Sequence, residues 1–240
     1  MKQRLDRLLV ERGLAESREK AQALIMAGEV LVNGQKALKP GHSVDAASAI
    51  ELTGKPPYVS RGGVKLAAAL DHFSIDVAGH VCLDVGSSTG GFTDCLLARG
   101  ASRVHAVDVG AGQLHWKLRN DPRVMLHERI NARYLRLDDV GEAVDLATID
   151  VSFISATMIL PAVAALLRAD GRMVILIKPQ FEVGKGQVGK GGIVRRLELH
   201  QEACTRVDEA VKNLGFKTEI IESPLLGAEG NKEFLLYARH

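Results

Sequence analysis

The stretch Val81-Cys82-Leu83-Asp84-Val85-Gly86-Ser87-Ser88-Thr89-Gly90-Gly91-Phe92 decides the fold. An apolar run enters an acid, then a glycine-rich turn, then a helix start. That order builds a ligand crevice at the C-terminal end of the first strand of an α/β domain. Glycines let backbone N–H groups approach a ligand, because no Cβ intervenes. A dinucleotide fingerprint requires glycine at i, i+2 and i+5. Here those positions hold Gly86, Ser88 and Gly91. The middle glycine, which makes room for a pyrophosphate, is missing, and Asp84 would repel the pyrophosphate charge. An acid there suits a cationic amino or sulfonium group, such as those of S-adenosylmethionine. The same stretch would also serve as a structural strand-turn-helix that binds nothing.

A second acid narrows the choice. Val104-His105-Ala106-Val107-Asp108 reads as the second strand, ending 24 residues after Asp84. An acid about 20 residues on, at that strand end, holds a ribose diol in folds of this type. The plainer alternative is an acid that caps the next helix.

Working outward, residues 62–73 read as a helix with Lys65 in its first turn, and 93–99 and 113–119 as further helices. Residues 124–126 and 144–149 read as strands, the latter running into Asp150. Residues 155–167 form a long apolar stretch predicted as one helix, and 173–177 a fifth strand ending at Lys178-Pro179. A glycine- and lysine-rich loop, 179–194, carries Lys185 and Lys190 and precedes a helix over 198–213. Strands alternating with helices predict a Rossmann-like, doubly wound, mostly parallel sheet. The last two strands, 217–222 and 233–238, lack a crossover helix and form an antiparallel hairpin at the sheet edge.

Length and composition allow one large α/β domain and one small one. Aromatic residues are only 4% of the chain, which argues against a nucleic-acid surface built mainly on base stacking. The net charge of +2 is uneven: residues 1–65 hold 11 Lys and Arg against 7 Asp and Glu. A basic N-terminal part on a near-neutral body points to an anionic partner. The three cysteines, Cys82, Cys95 and Cys204, have no zinc spacing and suggest no disulfide framework. The N-terminus is charged from Lys2 onward, and no 18-residue apolar run exists. A cytoplasmic protein with no membrane span and no metal is expected.

Residues 4–12 place Leu5, Leu8 and Leu9 on one helical face and Arg4, Arg7 and Arg12 off it. Ser17 caps a second helix over 18–27. Val30-Leu31-Val32-Asn33-Gly34 is then a strand entering an Asn-Gly hairpin turn. Two short basic helices followed by Glu29-Val30-Leu31-Val32-Asn33-Gly34 resemble the S4 RNA-binding domain. Arg4, Arg7, Arg18 and Lys20 have the spacing of phosphate contacts, although a merely solvated basic face has the same pattern. Residues 54–61, Gly-Lys-Pro-Pro-Tyr-Val-Ser-Arg, read as a stiff, basic linker that ends at Arg61. The expected division is 1–54 for the S4-like part, 55–61 for the linker and 62–240 for the α/β domain.

Functional side chains in such sheets sit at the C-terminal ends of strands. There the chain offers Asp150 and Lys178, with Lys65 early in the leading helix and Glu233 opening the last strand. Lys-Asp-Lys-Glu in that order around the glycine loop resembles the RrmJ/FtsJ class of ribose 2′-O-methyltransferases. The local words are more specific: Ser60-Arg61-Gly62-Gly63-Val64-Lys65-Leu66, Asp150-Val151-Ser152-Phe153-Ile154-Ser155, Lys178-Pro179-Gln180-Phe181-Glu182-Val183-Gly184-Lys185-Gly186 and Gly230-Asn231-Lys232-Glu233. They resemble the TlyA family, S4-fused rRNA cytidine 2′-O-methyltransferases also known as haemolysin A. The resemblance runs over essentially the whole chain. It implies S-adenosylmethionine as cofactor, ribosomal RNA or a ribosomal subunit as partner, and Lys65, Asp150, Lys178 and Glu233 as catalytic residues. It also implies a cofactor set of Asp84, Gly86, Ser87, Ser88, Thr89, Gly90, Gly91, Phe92, Asp108, Asn131 and Asp150. RNA contacts are expected from Arg4, Arg7, Arg18, Lys20, Arg61, Lys185 and Lys190. The short termini resemble the shorter subgroup, expected to act on large-subunit rRNA only.

A ribose 2′-hydroxyl is a poor nucleophile until its proton is withdrawn, and a neutral lysine can accept that proton. Amino-group methylation usually shows an Asp/Asn-Pro-Pro-aromatic run after strand four, whereas Val151 and Ser152 stand at the proline places. Pyrimidine C5 methylation needs a cysteine nucleophile at the site. Two other classes stay open at this point. One is a membrane-lytic protein, which lacks support from any amphipathic strand series. The other is a non-catalytic RNA-binding protein with a relict Rossmann domain, which the acids and the Lys-Asp-Lys-Glu set disfavour.

Overall fold

A computed structural model describes residues 2–54, 57–227 and 230–240, with the backbone alone for Lys185 and Lys190. The chain divides into two compact units after Pro57.

The first unit contains β1 (Lys2–Arg4), α1 (Leu5–Glu11), α2 (Arg18–Met26), β2 (Val30–Val32), β3 (Gln35–Lys36), β4 (Ser43–Asp45) and β5 (Ile50–Leu52). Leu5, Leu8, Leu9, Ala21, Ile25 and Val30 form its core, so the apolar stripes of α1 and α2 face each other. The Ser17 hydroxyl accepts the Lys20 N–H at 3.2 Å and starts α2. Asn33 and Gly34, both at positive φ (50° and 78°), turn β2 into β3. Arg4, expected to open the first helix, instead ends β1, which pairs with β4.

The second unit opens with α3 (Arg61–His72) and β6 (Val81–Val85), followed by α4 (Gly91–Ala98), β7 (Arg103–Asp108), α5 (Trp116–Arg119), β8 (Val124–Glu128), α6 (Leu137–Val140) and β9 (Val144–Ile149). It continues with α7 (Leu160–Ala164), β10 (Leu167–Ile177), α8 (Pro179–Glu182), α9 (Leu197–Lys212), β11 (Lys217–Glu222) and β12 (Phe234–Arg239). The sheet order is β11-β12-β10-β9-β6-β7-β8. Strands β10, β9, β6, β7 and β8 are parallel, and β12 runs antiparallel to both β10 and β11. Apolar side chains cover both sheet faces, which explains why β6 apart from Asp84, and the Met173–Ile177 part of β10, are apolar throughout. The order reverses between β6 and β9, and ligands bind at such a switch point.

The apolar stretch 155–167 departs from expectation. A 3₁₀ turn (Ala156–Met158) precedes the short helix α7, and Leu167 already belongs to β10. Pro161 explains the break, because it lacks an N–H and is tolerated only in the first turn of a helix, where it sits here. Glu233 lies one residue before β12 rather than inside it.

Leu83, in the central strand β6, is fully buried. Leu83→Ala should therefore cost about 2–5 kcal/mol of stability in denaturant unfolding, the usual penalty for a core cavity. A loss below about 1 kcal/mol would contradict this packing.

Candidate active site

The loop after β6 is built by its own backbone. Val107 O accepts N–H bonds from Gly86 (2.9 Å) and Ser87 (3.1 Å), and Ser87 O accepts from Gly90 (2.7 Å). Asp108 Oδ2 accepts the Ser88 N–H at 2.8 Å, and its Oδ1 accepts the Gly110 N–H at 2.7 Å. The N–H groups of this loop, expected to face a ligand, are thus largely taken up within the protein. Gly86 is required on two counts: its φ is 82°, and a Cβ there would lie 2.4 Å from Asp150 O.

Above the ends of β6, β7 and β9 lies a cavity of about 490 Å³. Val85, Gly86, Ser88, Val107, Asp108, Val109, Gln113, Ile130, Asn131 and Asp150 line it, with the 151–154 segment closing one side. This size falls in the range of small-ligand sites, and apolar walls with a few polar groups are their usual lining. Of the residues expected to hold a cofactor, Gly86, Ser88, Asp108, Asn131 and Asp150 line the cavity. Thr89 is exposed, Phe92 packs against the α3–α4 core, and Asp84, Ser87, Gly90 and Gly91 are buried outside the lining.

Asp84 lies behind the loop. The Thr93 hydroxyl donates to its Oδ2 at 2.6 Å and the Thr148 hydroxyl to its Oδ1 at 3.2 Å, tying the first turn of α4 to β9. Complete burial pushes its carboxyl up to about 7, with the nearby Asp150 charge adding to the rise and the Thr93 and Thr148 bonds opposing it. Burial likewise raises the Cys82 thiol to about 12, and those of Cys95 and Cys204 to about 11. No thiol here is set up as a nucleophile.

Lys65, Asp150, Lys178 and Glu233 form two ion pairs. Lys65 Nζ meets Glu233 Oε2, and both side chains are buried. Lys178 Nζ lies 2.5 Å from Asp150 Oδ1 and donates to Ser152 Oγ at 2.9 Å. The Asp150 contact is an ion pair that covers Asp150 Oδ1, an atom shielded from solvent. Sheet register brings the two pairs to one rim. Asp150 follows β9 and Lys178 follows its parallel neighbour β10, where Ile175 pairs with Ile149. Ile177 pairs with Phe234 across the antiparallel β10–β12 ladder, so the next positions outward are Lys178 and Glu233.

Glu182, absent from the sequence-derived set, joins the loops after β9 and β10. The Ser155 hydroxyl donates to its Oε2 at 2.5 Å and the Ala156 N–H to its Oε1 at 2.8 Å. Burial raises its carboxyl above the usual range, against the pull of those two donors. Phe153 was also missed. It has a φ of 66°, is 92% exposed, and its ring lies 5.3 Å from that of Phe181. It borders both the main cavity and a neighbouring one of about 430 Å³ that Gln180 and Phe181 also line. Neither role carries a sequence signal beyond membership of the quoted motifs.

The cations expected to meet RNA fall into different settings. Arg7 is exposed, with no ion-pair partner among the described residues, and Lys20 pairs with Glu16 at 2.9 Å. Arg4 and Arg18 both bind the buried carboxylate of Asp6. Arg61 donates to Leu226 O at 2.7 Å. The side chains of Lys185 and Lys190 lie outside the described residues. Among the described residues, no cluster of three or more His, Cys, Asp or Glu could hold a metal ion. No helix of the described residues is long and apolar enough to cross a membrane.

The model of FtsJ-like methyltransferases matches residues 58–240, and that of the S4 domain matches residues 3–50. The chain belongs to the FtsJ-like methyltransferase family. It is 48% identical over 98% of its length to a Mycobacterium tuberculosis protein named 16S/23S rRNA (cytidine-2′-O)-methyltransferase TlyA, of which 89% is covered. Hemolysin A of Brachyspira hyodysenteriae is 43% identical, with 98% of each chain covered. A solved structure from Streptococcus thermophilus that carries a hemolysin name superposes with a TM-score of 0.77 at 44% identity, covering 99% of this chain and 88% of the other. In this FtsJ-like chain, the S4 match falls in the unit that ends at Pro57 and the methyltransferase match begins where the second unit begins.

The Asp84 carboxyl gives a pH test. In the native state it titrates near 7, against about 3.9 for an unfolded aspartate. Between those values the native state keeps a proton that the unfolded chain has released, so stability from this group falls as pH rises from about 4 to 7. Asp84→Asn has no such proton. Urea unfolding across this range should show the stability difference moving in favour of Asp84→Asn as pH rises, and a difference independent of pH would contradict the assignment.

Proposed function

We propose that the protein is an S-adenosylmethionine-dependent methyltransferase that modifies the ribose 2′-hydroxyl of a cytidine in ribosomal RNA. The observation that carries this reading is the meeting of two lysine–carboxylate pairs at the sheet rim beside the 490 Å³ cavity. The TlyA name of the 48%-identical relative supports the cytidine and rRNA parts. We assign residues 1–54 to RNA binding, 55–61 to a linker and 62–240 to catalysis, in the cytoplasm.

The residues present fit the cofactor. The cavity pairs apolar walls with the Asp108 and Asp150 carboxylates, acceptors that suit a ribose diol and a cationic amino or sulfonium group. Asp108 and Asn131 would hold the ribose and adenine side, with Asp150 and the Gly86 turn on the methionine side. Asp84 would act from behind, holding the loop through Thr93 and Thr148. When bound, S-adenosylmethionine supplies the sulfonium methyl that the ribose oxygen accepts.

Once the Lys178 ammonium has released a proton to solvent, its neutral amine takes the proton from the 2′-hydroxyl: the O–H bond breaks and an N–H bond forms at Nζ. Asp150 and Ser152 aim the Lys178 amine, and the Lys65–Glu233 pair borders the same rim. Holding hydroxyl and methyl in line contributes about 7–11 kcal/mol in well-oriented systems, and a general base about 10²–10⁴-fold in rate. Phe153 and Phe181 offer an exposed aromatic surface of the kind on which unstacked bases rest.

Guanidinium keeps its proton at any working pH while preserving positive charge. Lys178→Arg should therefore bind S-adenosylmethionine and RNA normally yet transfer methyl groups at least about 10²-fold more slowly in single-turnover assays on rRNA. Activity near that of the parent would remove Lys178 as the base.

The division of labour has its own test. Residues 58–240 alone should retain S-adenosylmethionine binding in calorimetry and lose most RNA affinity, and the full chain should release RNA steeply as salt rises. Normal rRNA binding by the shortened protein would remove the S4-like unit as the RNA anchor.

A further inference from the structure

The first unit contains a charged group that an electrostatic patch does not need. Asp6 is completely buried on α1, and its carboxylate is fully occupied. Arg4 grips it with Nε at 3.0 Å and Nη2 at 2.8 Å, Arg18 Nε reaches it at 2.9 Å, and Gln22 Nε2 at 3.0 Å. The Arg4 bonds are the main reason the Asp6 carboxyl lies well below the usual carboxylate range. Both arginine side chains remain 45% exposed, so each presents its far edge to solvent. The other N–H groups of the two guanidinium forks have no acceptor among the described residues. Gly41 backs the Arg4 fork, since a Cβ there would lie 3.2 Å from Nη1. Lys20 is paired only with the exposed Glu16, and Arg7 has no ion-pair partner among the described residues.

A buried carboxylate lowers the positive potential of a surface that attracts anions. It gains a purpose if it orients the forks. Guanidinium is planar, with rigidly placed donors that match phosphate oxygens two at a time. One carboxylate holding two guanidinium groups leaves a net single positive charge and two pre-set edges facing outward. We propose that Asp6 is a positioning residue that joins Arg4 and Arg18 into one two-guanidinium clamp for an RNA phosphodiester. The clamp rests on the reading of residues 1–54 as the RNA-binding unit. It makes Asp6 a determinant of RNA affinity although its charge opposes RNA.

The sign of one substitution separates orientation from bulk charge. Asp6→Asn adds one unit of positive charge, so simple attraction predicts tighter RNA binding. The clamp predicts weaker binding: about tenfold for an unmodified 23S rRNA transcript, with the slope of log K against log salt falling by about 1–2. Equal or tighter binding by Asp6→Asn overturns the clamp. Arg4→Gln/Arg18→Gln, which removes the forks themselves, should show a slope loss of the same size. Adding Asp6→Asn to that double variant should change affinity by less than about twofold. A further loss in the triple variant would show that Asp6 acts through folding of the unit alone, and would overturn the clamp. If the parent protein binds the transcript with no salt dependence, the RNA-binding assignment of residues 1–54 fails and the clamp fails with it.

Discussion

Strand β12 runs antiparallel against β10, and that pairing decides where Glu233 falls. With Ile177 opposite Phe234, the next positions outward are Lys178 and Glu233. The parallel pairing of β10 with β9 brings Asp150 to the same rim. Lys65 arrives from α3 and meets Glu233. Four residues spread over 169 positions of sequence thus converge because of two strand ladders and one helix. A one-residue slip of β12 would turn every side chain of that strand to the opposite face. The core on both sides of the sheet makes such a slip costly, since Leu235 packs on one face and Leu236 on the other.

Buried polar groups brace this rim from below. Asp84 links the first turn of α4 to β9 through two threonine hydroxyls, and Glu182 links the loops after β9 and β10. Both carboxyls are raised by burial and held by donors that oppose the rise. A buried carboxylate with its donors in place rigidifies what it joins, and one left unpaired is strongly destabilising. Rigid placement of reacting groups is in turn what a methyl transfer in line with a ribose oxygen requires.

Much of the second unit is legible in sequence. Apolar runs that lead to Asp108, Asp150 and Lys178, and to Gly86 after Asp84, mark strand ends, because parallel strands buried on both faces are largely apolar. The antiparallel edge is legible because no helix fits between the last two strands. The stretch 155–167 is not, since its apolar residues suit a buried helix or a strand equally, and Pro161 decides where the helix starts. Nor does sequence tell which way a strand-end carboxylate points: Asp108 lines the cavity, whereas Asp84 faces the packing between β6, α4 and β9. The pairing of Lys65 with Glu233 and of Lys178 with Asp150 depends on register, which no local pattern encodes. In the first unit, the charge pattern marks Arg4 and Arg18 but hides Asp6, whose role appears only once α1 and α2 lie side by side.

On the function proposed above, these two ion pairs serve transfer to a ribose oxygen. The most direct test is to incubate the protein with an unmodified 23S rRNA transcript and S-adenosylmethionine carrying a labelled methyl group, then digest the RNA to nucleosides and identify the labelled one by mass spectrometry. The account predicts label in 2′-O-methylcytidine. Label in a base-methylated nucleoside, or its absence from RNA while S-adenosylmethionine binds, would contradict it.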